Sequence, residues 1–161
     1  MALIEPKIPY KTIRDAILTL LRNNKSSLNT NLTEATFTDN KQIIAGDPYI
    51  TPLDVNLYPL ILVKIVRKTE EFEYLGNYGR KKPVVIFRIY GIIRRVPGNE
   101  VDNEIMNLAS NIEGLFRDNI DISGNVLFAN PSIADYGMGD LGTGTYIDVV
   151  AIDLECTLEV K

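Results

Sequence analysis

The chain has no histidine and no tryptophan, and its only cysteine is Cys156. Without histidine there is no imidazole to act as a general acid or base near neutral pH, and none to ligate a metal. A Ser-His-Asp triad is therefore excluded. One cysteine supplies no disulfide framework within the chain and no thiolate metal cluster. No apolar run approaches the roughly 20 residues that a helix needs to span a bilayer. The opening Met1-Ala2-Leu3-Ile4-Glu5-Pro6 lacks a basic segment followed by an apolar one. No signal peptide is expected there, and a soluble, cytoplasmic setting is. Carboxylate or lysine chemistry stays open, but neither a cofactor nor a metal is expected.

What is present is globular in composition. Of 161 residues, 45% are hydrophobic and 24% charged, which suits one domain over residues 1–161 with its own core. The charge is unevenly spread. Residues 1–96 hold fifteen basic and nine acidic side chains, a net of +6. Residues 97–161 hold two basic (Arg117 and Lys161) and twelve acidic, a net of −10, which leaves the chain at −4. The halves could fold together and neutralise one another. Alternatively, one flank of the fold is basic and the other acidic, and identical copies associate head to tail. Such a heterologous contact closes into a ring or runs on as a filament.

The stretch from Tyr58 to Val96 organises the rest. Two apolar runs, Leu60–Val66 and Val84–Ile93, are rich in Val, Ile, Phe and Tyr, as strands are. Between them lie Glu70-Glu71-Phe72-Glu73-Tyr74, then Leu75-Gly76-Asn77-Tyr78-Gly79, then Arg80-Lys81-Lys82-Pro83. Gly and Asn tolerate the positive φ of a reversal. A long β-hairpin with a buried root and a charged tip is expected. With Asn77 near the reversal, Glu73 lies opposite Lys81 or Lys82. Val84–Ile93 is apolar on both faces, as in a central strand.

A first helix is expected from Tyr10 to Arg22, with Ile13, Ala16, Ile17, Leu20 and Leu21 on one stripe. From Asn24 to Leu57 the periodicity weakens and a loop is expected, with a short strand over Gln42–Ala45. So long an irregular stretch suits an interaction surface. A second helix starts after Pro97-Gly98, with Asn99 as its cap. Val101, Ile105, Leu108, Ile112 and Leu115 face the core, and Gly114 is placed to let a strand come close. Asn125–Ala129 reads as a short strand and 130–145 as a Gly-rich loop. Tyr146 to Val160 is the last strand, with Asp153, Glu155 and Glu159 on an acidic outer face. Its alternation slips at Val149-Val150, which suggests a β-bulge.

Three motifs carry chemistry on paper. Gly137-Met138-Gly139-Asp140-Leu141-Gly142 matches G-x-G-x-x-G, but a dinucleotide site needs a helix after the glycines and here a strand follows. A loop ordered by a partner fits better, with Tyr136, Met138, Asp140 and Leu141 as contact groups. Arg80, Lys81 and Lys82, with Glu73 and Tyr78, suit contact with another protein better than with nucleic acid, since the chain as a whole is acidic. The row Asp153, Glu155, Glu159 is a solvated face, or the lining of a channel that repels phosphate.

The order of elements resembles the tail terminator (tail completion) proteins of long-tailed bacteriophages. A leading helix, a polar loop, Tyr58-Pro59-Leu60-Ile61-Leu62-Val63 opening a charged hairpin, a helix after Arg94-Arg95-Val96-Pro97-Gly98-Asn99, and a closing acidic strand carry the likeness. Size and composition suit a siphophage of the T5 type. The resemblance implies an α+β fold: a twisted, mostly antiparallel sheet with a protruding hairpin, packed by two main helices. It also implies a hexameric ring on the head-proximal end of the tail tube. That ring stops tube polymerisation, joins a head-completion or connector protein, and lets DNA pass through. It implies no catalytic residue. The other readings are a head-completion or tail-tube protein on a related fold, and a small ligand-binding or enzyme domain. The last requires a pocket with a carboxylate of raised pKa among Asp148, Asp153 and Glu155.

Overall fold

Apolar stripes on the helices meet alternating strands of a single sheet. The computed structural model describes residues 7–34, 36–48, 58–72, 81–95, 102–140 and 145–158. The elements are α1 (Tyr10–Asn23), α2 (Lys25–Leu28), a 3-10 turn (Asn40–Gln42), β1 (Ile43–Ala45), β2 (Leu60–Phe72), β3 (Lys81–Arg94), α3 (Asn103–Asp118), β4 (Phe128–Asp140) and β5 (Tyr146–Thr157). The sheet has five strands in the order β1-β2-β3-β5-β4. Only β1–β2 is parallel; the other three pairings are antiparallel. The fold is α+β, as expected.

The helices cover one face of the sheet. Ile13, Ile17 and Leu21 of α1 and Leu108, Ile112 and Phe116 of α3 share one core with Phe87 and Ile89 of β3 and Val150, Ile152 and Leu154 of β5. A smaller cluster, Leu60, Leu62, Tyr90, Ile92 and Ile147, forms on the opposite face, with Val149 packed against it. This second cluster explains the broken alternation near Val149. Ile147 and Val149 are apolar because the root of β5 is covered on both faces, and the β5 register runs without a shift from Ile147 to Thr157. The expected bulge at Val149-Val150 is therefore absent. Bulges occur instead in β2, between Ile65 and Arg67, and in β4, between Pro131 and Ile133.

The Gly-rich segment is the largest departure from expectation. It is not a loop: Phe128–Asp140 forms β4, and every residue of it except Ser132 has a partner on β5. Gly and Pro are poor strand formers, so local propensity argues against this strand. Pairing along the whole of β5 overrides it.

Gly114 has nothing within 4 Å of where a Cβ would sit, so it does not admit a strand. Gly91 does that work from the strand side: its Cβ would lie 2.9 Å from Leu108 Cδ2 and 3.0 Å from Val150 Cγ1. The missing side chain lets α3 seat on β3. The cap of α3 is Asp102, at φ 67°, and the helix starts at Asn103; Asn99 lies outside the described residues.

The polar segment after α1 is partly helical (α2) and is stitched down by amide side chains. The Asn29 amide donates to the Phe37 carbonyl at 3.0 Å, and its oxygen accepts from the Phe37 N–H. Asn111 of α3 donates to the Leu28 and Thr30 carbonyls. Buried Gln42 accepts from the Asp39 N–H and donates to the Pro59 carbonyl, tying the turn to the start of β2. Side-chain bonds to backbone stand in for regular elements here.

Candidate interaction surface

The hairpin expected from residues 58–96 is present and long. Its strands have 13 and 14 residues, against about 5–6 for an ordinary strand. The two halves of β2 differ sharply. Leu60, Ile61, Leu62 and Val63 are buried, whereas Lys64 through Glu70 are all exposed. On β3, the last register pair with β5 is Val84–Thr157, and just beyond it the Leu158 N–H donates to the Pro83 carbonyl. Beyond Pro83 the hairpin continues through the pairs Glu71–Lys82 and Phe72–Lys81, outside the three-strand body.

This register corrects one expectation. Lys82 lies opposite Glu71 and Lys81 opposite Phe72, so neither faces Glu73. Acid still meets base across the hairpin, two residues earlier than expected. Glu73, Tyr78 and Arg80 fall outside the described residues, as does Glu159. Lys82 is half-buried.

Tyr136, Met138 and Asp140 lie on one face of β4 by alternation, and Tyr136 and Met138 are exposed by 54% and 62%. Partial burial pushes the Tyr136 hydroxyl above its ordinary pKa, and the Glu113 charge of α3 adds to that shift. Of the G-x-G-x-x-G match, Gly137 and Gly139 sit within the strand and Leu141 and Gly142 lie outside the described residues; among the described residues no helix N-terminus is placed there to receive a phosphate. β4 is separated from the hairpin strand β3 by β5 alone. Tyr136 and Met138 pair with Val150 and Asp148, level with Gly91 and Ile93, so they lie toward the other end of β3 from Lys81 and Lys82.

The acidic strand face is partly neutralised. Arg88 donates to both Asp153 carboxylate oxygens, from Nε at 2.7 Å and Nη2 at 3.3 Å. That hydrogen bond is the main cause of a raised Arg88 pKa. Arg95 likewise donates to both oxygens of buried Asp148, with Nη2 at 2.6 Å. Each pair joins a base of the first half to an acid of the second, so the charge split is met in part inside the chain. Glu155 is half-buried on the same face as Asp153. Two of the three candidate carboxylates of the enzyme reading, Asp148 and Asp153, are thus engaged by arginine forks. A groove of about 350 Å³ is lined by Ile8, Pro9, Asn125, Val126, Leu127 and Leu158, and none of these is a carboxylate. Among the described residues no group of acids and Cys156 could hold a metal, and no helix is long and apolar enough to cross a membrane.

The arginine forks and the open β4 edge were not foreseen from sequence. Opposite charges at Arg88 and Asp153 become a pair only once the register of β3 on β5 is known. Compared with known protein families and with characterised proteins, the chain matches none.

Proposed function

We propose that this chain is a structural, non-enzymatic ring protein of a phage tail. Copies of it cap the head-proximal end of the tail tube, stop its polymerisation and present the surface that a head-completion or connector protein joins. Its place is the virion, after assembly in the host cytoplasm. The observation that carries this reading is the hairpin, which continues past the β5 side by two further strand pairs and has an exposed, charged β2. An arm of that form suits contact with a neighbouring subunit or tube better than containment of a small molecule. The likeness in element order to tail terminators supports the same conclusion. DNA passes through the ring without base-specific contact, and Glu155 on the strand face limits sticking by repelling phosphate. Asp153 contributes less, since Arg88 holds it.

Light scattering after size exclusion, with and without purified tail tubes, tests this directly. The expected result is a ring-sized species that binds tube ends and halts their growth. A protein that stays monomeric and never binds tube ends would overturn it. Reversal of Arg80, Lys81 and Lys82 to Glu is expected to weaken capping and flatten its salt dependence.

A further inference from the structure

We propose that copies of this chain join edge to edge. The outer edge of β4 in one copy adds antiparallel to the distal edge of β2 in the next, so that one sheet continues through the assembly. This deepens the self-association part of the reading above and rests on it only there.

The sheet has two open edges, and they are unlike. β1 covers β2 only at Ile61, Leu62 and Val63, with the Gly46 N–H donating to the Val63 carbonyl. From Lys64 onward, β2 has no paired strand on that side among the described residues, and Lys64 to Glu70 are exposed. On the opposite side of the sheet β4 pairs with β5 alone. It exposes Ile133 by 51%, together with Tyr136 and Met138. Edges of this length leave a row of backbone N–H and C=O groups ready to accept a further strand.

Strand direction favours joining these two edges. The steps β2–β3, β3–β5 and β5–β4 are each antiparallel, so β4 runs opposite to β2. A second copy placed with its β2 beyond β4 continues the antiparallel alternation and keeps its helices on the same side. Side chains then meet by face. Ile65, on the helix side by its register with Phe87, meets Tyr136 and Met138, whose partners are Val150 and Asp148. Arg67, on the other side opposite Ile86, meets Ile133 and Asp135.

Charge favours the mixed junction over pairing β4 with β4. The exposed β2 edge begins with Lys64, Arg67 and Lys68, whereas β4 carries Asp135 and Asp140 and no base. Pairing β4 with β4 sets acids side by side, which destabilises cross-strand pairs, whereas β2 carries Glu70 and Glu71 beside its bases and is not barred from self-pairing by charge. Lys64 and Lys68 already hold Asp47 and Glu70, which leaves Arg67, among the described residues of this edge, as the cation for a partner. The bulges in β2 and β4, with Pro131, blunt part of each edge against indiscriminate pairing. They leave Arg67–Phe72 and Ile133–Asp140 as uninterrupted runs. A contact between two different edges is heterologous, as a ring or filament requires.

The test uses the full chain, with Arg67→Asp, Asp135→Arg and the charge-exchanged double variant, each checked for native circular dichroism. Light scattering over a concentration series reads association. Each single variant is expected to move the midpoint to about fivefold higher concentration or more, and the double variant to regain most of the loss. A single variant that associates like the unaltered chain overturns the proposal, as does an unaltered chain that stays monomeric at the highest concentration reached. Tube-end capping is measured on the same samples. Equal capping by all variants sinks the edge junction and spares the tail reading. Charge rescue without any capping does the reverse.

Discussion

On the helix-covered face of the sheet, Val150, Ile152, Leu154 and Cys156 of β5 are all fully buried. On the other face the same strand carries Ala151, Asp153 and Glu155, each only half-buried. One backbone thus serves two environments, and the residue types follow the cover. Helices over one face allow continuous apolar packing. The bare face is closed at its root by a small apolar cluster and, further along, by the Arg88–Asp153 fork. The difference separates stability from recognition. Most of the free energy of folding comes from the covered face, which leaves the bare face, the edges and the hairpin arm free to meet other molecules.

Phe116 tests the covered face most severely. It is fully buried on α3, and Phe116→Ala is expected to cost about 3–5 kcal/mol, read as a lower urea midpoint at unchanged slope. Met138→Ala on the open edge is expected to change stability by no more than about 0.5 kcal/mol. Equal losses at the two sites would erase the contrast.

Cys156 sharpens the contrast through pH. Burial pushes its thiol up to about 12, from an ordinary value of 9.0. The folded state therefore holds the proton more tightly than the unfolded chain does. This contribution is complete below about pH 9 and is lost as pH rises toward 12, with a slope of about 1.4 kcal/mol per pH unit between the two values. Denaturant melts from pH 8 to 11 are expected to show that fall, and Cys156→Ala to flatten it. The native thiol is also expected to resist thiol reagents until the protein unfolds.

Gly91 probes the seat of α3. Gly91→Ala places a methyl group against Leu108 and Val150 and is expected to cost about 1–3 kcal/mol, while Gly114→Ala, with open space around it, is expected to be neutral or slightly stabilising. Thermal melts of the two variants check this. If both cost the same, close approach at Gly91 does not position the helix.

Where a segment's own periodicity agreed with its final neighbours, the fold was legible in the sequence. Ile13, Ile17 and Leu21 marked α1, and the Val-, Ile- and Phe-rich runs marked the hairpin. The failures came where tertiary partners decide. Nothing local to Gly137-Met138-Gly139 reads as strand; only pairing with Val149, Asp148 and Ile147 makes it one. Ile147 and Val149 looked like a slipped phase because the second cluster is built from β2 and β3, distant in sequence. The start of α3 moved because Asp102 turns through positive φ, a geometry that composition does not announce. Tyr136 and Met138 were picked out as contact groups in a loop. They are exposed, but on a strand edge, and that changes the kind of partner they fit.

The smallest expected effect belongs to the bare face, and it tells most about what that face is for. Arg88 and Asp153 sit opposite one another on neighbouring strands, with side chains 35% and 14% exposed. Water reaches the guanidinium, so the Coulomb gain is screened and the coupling is expected to be about 0–1 kcal/mol in a double-mutant cycle using Arg88→Thr and Asp153→Thr. The double variant should lie closer to the unaltered protein than Arg88→Thr alone, which leaves the less exposed carboxylate without its cation. A coupling of several kcal/mol would mean that the fork holds the sheet together and that stability is not confined to the covered face. A small coupling leaves the fork two other tasks, fixing the phase of β3 on β5 and lowering the negative charge of a face that would otherwise be strongly acidic. Both matter to a sheet that is extended by a neighbour, because the register inside each copy sets the register offered at its edges.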